Sequence, residues 1–322
     1  MTALPLDSPR PFVLVLGSVT LDRNELYGHT LAPALGGSGT AIARALSRLG
    51  MDVVWLTPAA ESEHAELMQL AGDHLTVVPL PSRHTLCYRN IYPDRSKPML
   101  RIQKVDAFPD PIAWDAVEPW AKRRPELVIG GPLTPWDWPL PLLQQAAECA
   151  GKPLWLDPQG YVRKIDTHGR VSPQVWTPKP ETCLQLVKLD WQEALCLLDR
   201  PDHSAGAPPP LAELTHRLHD RYPNVTFAVT AGELGSALLE SRSLTTIRQP
   251  AVPTPSIEPD PTGCGDIYLA GLVYARLHLG KDWAEAVRIA TVAAGLNCQH
   301  QGVYAPSSNE IWGEIGRGFA DG

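Results

Sequence analysis

The segment Asp260-Pro-Thr-Gly-Cys-Gly-Asp266 runs straight into Ile-Tyr-Leu-Ala-Gly-Leu-Val-Tyr-Ala-Arg-Leu-His-Leu-Gly280. The second half is apolar nearly all round, through Leu269, Ala270, Leu272, Val273 and Leu277, and reads as a buried helix. Gly263 and Gly265 let the backbone bend closely at the start of that helix. A helix start carries unpaired N–H groups and roughly half a positive charge, a combination suited to a phosphate or a developing negative charge. Asp266 sits where those amides converge, and a carboxylate there can accept the proton of an attacking hydroxyl. The same residues also describe a plain glycine turn with Asp266 as a helix N-cap.

Upstream, short apolar runs alternate with segments of helical period. Strands are expected at 12–16, 53–56, 75–80, 127–129, 154–157, 184–188 and 225–230. Helices are expected over 38–49, near 63–70, 140–150, 191–198 and 211–221, and 236–241 with 244–249 reads as a hairpin. Continuous apolar strands separated by helices indicate a parallel sheet covered on both faces, an α/β fold. Residues 23–34 and 85–107 break the rhythm and are expected to pair as a small antiparallel flap. No linker divides the chain, so 1–322 is read as a single domain with two lid excursions.

Composition narrows the function classes. The 322 residues are 44% hydrophobic, enough for a large core, and the net charge of −7 without a basic block argues against a nucleic-acid partner. The six cysteines include no Cys-x-x-Cys pair, which removes the usual zinc and redox motifs. No apolar stretch approaches the ~18 residues of a membrane span, and the start lacks the basic region of a signal peptide. The expectation is a cytoplasmic protein with free thiols and no membrane partner.

Asp260–Asp266 closely resembles the PfkB/ribokinase signature Asp-Thr-x-Gly-Ala-Gly-Asp, with Pro261 in place of Thr and Cys264 in place of Ala. The resemblance implies a ribokinase-like three-layer α/β/α fold with a mainly parallel central sheet and a small β lid. It implies ATP-dependent phosphoryl transfer to a hydroxyl of a sugar, cyclitol or related polyol. Gly263, Cys264 and Gly265 then form the anion hole, with Asp266 as catalytic base. Gly17-Ser-Val-Thr-Leu-Asp22 resembles the family's opening motif and makes Asp22 a substrate ligand; Gly36-Gly37-Ser-Gly39-Thr-Ala41 resembles its second glycine motif and adds Gly36 and Gly37. The family's Asn at that motif is Ala41 here, which points away from ribose. Asp157-Pro-Gln-Gly-Tyr161-Val-Arg163 resembles an inositol-kinase-like subset and adds Arg163 to the substrate side. Lys188-Leu-Asp190-Trp-Gln-Glu193 resembles the motif that holds Mg2+ through water, giving Asp190 and Glu193 to the metal and Lys188 to the nucleotide. Asp190 and Glu193 equally fit a capping box. Thr230-Ala-Gly232-Glu-Leu-Gly235 resembles the nucleotide loop, and Asn297 falls where the family packs adenine. ATP and Mg2+ are the implied cofactors; a monovalent cation and a homodimer stay open.

Other nucleotide and hydrolase readings fail on their motifs. The chain has no Gly-x-x-x-x-Gly-Lys-Ser/Thr; Gly37-Ser-Gly39-Thr-Ala-Ile42 lacks the third Rossmann glycine; Thr40 spoils a Gly-x-Ser-x-Gly around Ser38. The alternatives left are a nucleoside kinase of the same fold and a non-catalytic binding protein derived from such a kinase.

Overall fold

The computed structural model of the chain describes residues 12–94, 102–179, 183–201, 207–253 and 259–318. Strand β1 (Phe12–Gly17) leads into an excursion of β2 (Thr20–Leu26), β3 (His29–Thr30) and β4 (Ala34–Gly36), which returns through α1 (Ser38–Arg48). Next come β5 (Asp52–Ala60), α2 (Glu61–Met68) and β6 (Leu75–Ser82), and a second excursion of β7 (Leu86–Tyr92) and β8 (Ile102–Ala107). Then follow α3 (Trp114–Ala121), β9 (Leu127–Gly131), α4 (Leu140–Ala150), β10 (Leu154–Leu156), and a small hairpin of β11 (Arg163–Ile165) and β12 (Val171–Pro173). The last part comprises β13 (Leu184–Asp190), α5 (Trp191–Leu197), α6 (Leu211–Arg221), β14 (Thr226–Thr230), β15 (Ser236–Leu239), β16 (Thr246–Gln249), α7 (Cys264–Val273), α8 (Trp283–Cys298) and α9 (Ser308–Gly316).

Nine strands form the main sheet in the order β16-β15-β14-β13-β10-β9-β1-β5-β6. Every pair from β14 to β6 is parallel, and β15 and β16 extend that edge antiparallel, as the expected hairpin. Successive residues of β1 feed opposite layers, as strand geometry requires. Val13 and Val15 join Ile42 and Leu46 of α1, Leu272 of α7 and Val287 of α8, while Leu14 and Leu16 join Val117 of α3, Leu143 of α4, Leu195 of α5 and Leu214 of α6. The result is the expected three-layer α/β/α sandwich.

The strand order also locates the functional end. From β1 the chain builds outward to β5 and β6, then crosses back to β9 and builds the other way. Such a reversal opens a crevice at the carboxyl ends of the flanking strands. Here those ends are Gly17 and Gly131, which are paired with each other.

The two excursions do form a second sheet, β3-β2-β7-β8 with β4 also on β2, but it is mixed rather than antiparallel. β2 and β7 pair in parallel from Thr20/Leu86 to Leu26/Tyr92. The reason lies in the main sheet: β2 continues from β1 and β7 continues from β6, and those two strands already run in one sense.

Candidate active site

At the start of α7 the sequence signature folds as a left-handed turn into a buried helix. Gly263 is the N-cap with φ 75°, a conformation that favours glycine, and its Cα faces Val303 so closely that an added Cβ would lie 2.8 Å from it. The helix's own ladder starts with Ile267 N–H donating to Gly263 O at 2.9 Å. One expectation needs correction here. The amides of Gly263 to Gly265 were to form the hole, but Cys264 N–H already donates to Pro261 O at 3.1 Å. Of the first four N–H groups, those of Gly263, Gly265 and Asp266 are the ones without a backbone partner among the described residues.

The turn is braced from the C-terminal side. Asp260 accepts from Thr262 N–H (2.9 Å) and Gly302 N–H (2.7 Å). Asn297 donates to Thr262 O (2.9 Å) and Cys264 Sγ (3.1 Å) and accepts from Tyr304 N–H (2.7 Å). Its side chain is 0% exposed, so Asn297 holds the turn from within, and the expectation of an adenine contact is corrected: its polar atoms are spent on the backbone. Burial pushes the Cys264 thiol up to about 12, which makes it a small neutral filler in the alanine position.

Beside the turn lies a cluster of charges carried to one place by the carboxyl ends of β10 and β13. Lys188 donates to Asp157 at 2.9 Å, with the two side chains 4% and 2% exposed. A Cβ on Gly265 would overlap Lys188 Nζ, so the lysine lies directly under the glycine turn. Asp266 is half-buried; burial and the Asp157 carboxylate hold it up at about 6, against the opposing pull of Lys188, Ser38 and Arg163. Burial works to lower the Lys188 pKa, yet Asp157, Glu193 and Asp266 together raise it, so its ammonium stays charged.

Asp190 and Glu193 make the capping box that their spacing allowed: Glu193 N–H donates to Asp190 Oδ1 at 2.7 Å and Asp190 N–H to Glu193 Oε2 at 2.8 Å. Burial, then the neighbouring Asp190 and Asp157 charges, raise Glu193 to about 8, and burial raises Asp190 as well. Among the described residues no three His, Cys, Asp or Glu side chains are arranged to hold a metal directly.

On the other side of the crevice, Asp22 faces Gly36 across the β2–β4 pair; a Cβ on Gly36 would overlap the Asp22 carboxylate. Gly37 caps α1 with φ 97° and no side-chain cap. The hydroxyls of Thr20 and Ser38 are buried there without a hydrogen-bond partner, although Ser38 lies near enough to Asp266 to favour its ionised form. Arg163 donates to the Tyr88 hydroxyl (3.0 Å) and to Leu133 O (3.3 Å), while that hydroxyl donates to Leu133 O at 2.6 Å. Thr230 ends β14 opposite Asp190 and donates to Leu189 O at 3.3 Å; Gly232 is exposed in a tight turn, and Gly235 closes it against Gln249.

Three participants escaped the sequence reading. Asp157 and Ser38 lie inside motifs that were quoted, but nothing in the spacing said they would face Lys188 and Asp266. Asp137 had no signal at all. It is 2% exposed and accepts from Ser18 Oγ (2.7 Å), Leu133 N–H (3.0 Å) and Thr134 N–H (2.9 Å), pinning the loop after β9 to the end of β1.

The family model described as pfkB family carbohydrate kinase matches residues 139–310, more than half of the chain. No curated protein sequence matches. Among solved structures, a pyrophosphate-dependent kinase in the ribokinase family, complexed with a pyrophosphate analog and myo-inositol, is 21% identical with a TM-score of 0.74, covering 94% of this chain and 99% of that one. Arabidopsis thaliana ribokinase complexed with ribose and ATP is 18% identical (TM-score 0.68; 95% and 99% covered). Burkholderia thailandensis nucleoside kinase in complex with inosine is 22% identical (TM-score 0.65; 96% and 98% covered). These likenesses show that the fold is ribokinase-like over nearly the whole length. With the matched segment carrying the glycine turn and Asp266, the chain belongs to the pfkB family of carbohydrate kinases.

Proposed function

We propose that the protein transfers a phosphoryl group to a hydroxyl of a small polyol, a sugar or cyclitol, with Asp266 as the base. The observation that carries this reading is the juxtaposition at α7: unused N–H donors at Gly265 and Asp266, the Lys188 ammonium beneath them, and a carboxyl held at about 6 beside them. A carboxylate of that pKa is largely ionised near neutral pH and is a stronger base than an ordinary aspartate. Asp266 accepts the proton of the substrate hydroxyl as its oxygen attacks the terminal phosphorus of the donor, and the bond from that phosphorus to the leaving phosphate breaks. The transition state is loose, so positioning and charge stabilisation by the helix start and Lys188 outweigh base strength. Asp22, Gly36 and Gly37 face the substrate, with the Thr20 hydroxyl, and the Ser38 hydroxyl beside Asp266, as further hydrogen-bonding groups.

The carboxylate pair Asp190/Glu193 suits a hydrated divalent cation. Glu193 is a buried acid that the Asp190 and Asp157 charges push up further, so the donor set is short of positive charge, and a water-held Mg2+ would supply that charge. When bound, it would neutralise part of the donor's phosphate charge.

ATP is the donor the motifs imply, with the 230–235 turn on the nucleotide side. Pyrophosphate is the second reading. It is favoured by the burial of Asn297, which leaves the expected adenine contact unfilled, and by the likeness to a pyrophosphate-dependent kinase. The test is a matrix of two donors, ATP and pyrophosphate, against ribose, fructose, myo-inositol and inosine. The polyol reading expects turnover with a sugar or cyclitol; turnover with inosine alone would favour a nucleoside kinase, and tight binding with no turnover a binding protein.

A further inference from the structure

The small sheet meets the rest of the molecule through a hydrophobic cluster separate from the two main layers. Leu86 and Tyr88 of β7, Val105 of β8 and Leu133 after β9 are buried there, and Ile165 and Val171 pack against them. Ile165 and Val171 are register partners across the β11–β12 hairpin, so both lie on its one face. The hairpin is fixed at its root and shaped at its tip. At the root, Gln174 donates from its N–H to Val162 O (2.8 Å) and from Nε2 to Tyr161 O (2.9 Å), and the Tyr161 hydroxyl donates to Trp138 O (2.5 Å). At the tip, the Asp166 carboxylate accepts from His168 N–H (2.8 Å) and Arg170 N–H (2.9 Å), while Gly169 N–H donates to Asp166 O (3.0 Å).

That tip grips the small sheet backbone to backbone. Val105 N–H donates to Gly169 O at 2.8 Å, and Lys104 pairs antiparallel with Arg170. A Cβ on Gly169 would lie 2.3 Å from Val105 O, so the approach needs a glycine. The tip bonds alone fit a cover for an exposed strand edge, since β8 ends the small sheet among the described residues. An edge cover needs neither an apolar wedge under the joint nor a tie from its root to the neighbouring strand, and the hairpin has both. Arg163, the first residue of β11, donates to the Tyr88 hydroxyl at 3.0 Å, and Tyr88 lies beside Asp22 in register. The hairpin thus holds β7, β8 and the cluster between them, and through β7 it sets the tilt of β2, the strand that carries Asp22.

We propose that the β11–β12 hairpin is a strut that holds the small sheet at a fixed angle over the crevice, with Gly169 and Val171 as positioning residues that keep Asp22 in place opposite Asp266. The link to turnover rests on the kinase reading above; the strut itself does not. Without the strut, fewer free molecules have the sheet in place, so the apparent affinity for the polyol falls by that fraction while saturating polyol restores it. The experiment uses the full chain, wild type, Gly169→Ala and Val171→Ala. Hydrogen exchange read by mass spectrometry on the substrate-free protein compares residues 86–92 and 102–107 of the small sheet with 12–17 and 127–131 of the main sheet. In Gly169→Ala the small sheet should exchange roughly tenfold faster with the main sheet unchanged, and the polyol KM should rise by the same factor while kcat holds. Val171→Ala, which trims the wedge and leaves the turn intact, should move both readouts the same way and decides the matter where Gly169→Ala fails to fold. Unchanged small-sheet exchange in a folded variant overturns the strut, even where the melting temperature drops, because the hairpin is then an edge cover. Faster exchange with an unchanged KM overturns the positioning role. Wild-type protein that phosphorylates no polyol overturns the kinase reading, and the exchange pattern still tests the strut.

Discussion

Replacing Asp157 by Asn removes one charge from the pair under the glycine turn while keeping its shape. The pair is 2.9 Å long, and both side chains are almost wholly buried. Removing one partner of such a pair leaves an uncompensated charge and costs about 3–5 kcal/mol. Glu193 and Asp266 also act on Lys188, and the Asn carbonyl still accepts a hydrogen bond, so the loss falls near the lower end, about 3 kcal/mol. A second effect follows on Asp266. After burial, the Asp157 charge is the largest influence holding Asp266 up at about 6. Without it, Asp266 ionises at lower pH, so the acid limb of the kcat/KM profile moves down in pH. Urea unfolding measures the first effect and a pH–rate profile from 4.5 to 8 the second. Stability within about 1 kcal/mol of wild type, together with an unmoved acid limb, would refute the placement of Asp157.

Two further predictions concern the same cluster. Glu193 is raised from 4.5 to about 8 in the folded chain, chiefly by burial, so the native state binds more protons than the unfolded one between those values. Its contribution to stability is therefore lost as pH climbs from about 4.5 to about 8. Glu193→Gln, which keeps the cap acceptor, should flatten that part of the melting temperature's pH dependence; an identical slope in the variant would count against the shift. Gly265→Ala places a Cβ on Lys188 Nζ and 3.0 Å from its Cε. A lysine tip usually yields, but here yielding breaks the buried pair, so the variant should lose about 3 kcal/mol and most activity. A stable, active Gly265→Ala protein would show that the lysine does not lie under the turn.

The layers of the fold were legible because they rest on local periodicity. FVLVL at 12–16 and the apolar run from Ile267 announce a strand and a helix buried on all sides; the strand occurs as read, and the helix is buried from Ile267 to Ala275 but gives way to a π-helical turn over Tyr274–His278 that brings Leu277 to the surface. The mixed pairing of the small sheet was not legible, since strand direction there is inherited from β1 and β6, which lie far away along the chain. The same limit applies to the site. The glycine turn and Asp266 are adjacent in sequence and carry their own geometry. The Asp157–Lys188 pair joins residues 31 apart, and Ser38 reaches Asp266 only because α1 packs on α7. Asn297 illustrates the opposite error: a polar residue near an expected adenine site looked like a ligand, whereas an amide with three backbone and sulfur partners is a brace.

Asp266 tests the account most directly. With the best donor and polyol, Asp266→Asn should lower kcat by ~10²-fold or more while the melting temperature and the KM for the polyol stay close to wild type. Turnover near the wild-type rate in that variant would contradict the assignment of Asp266 as the base.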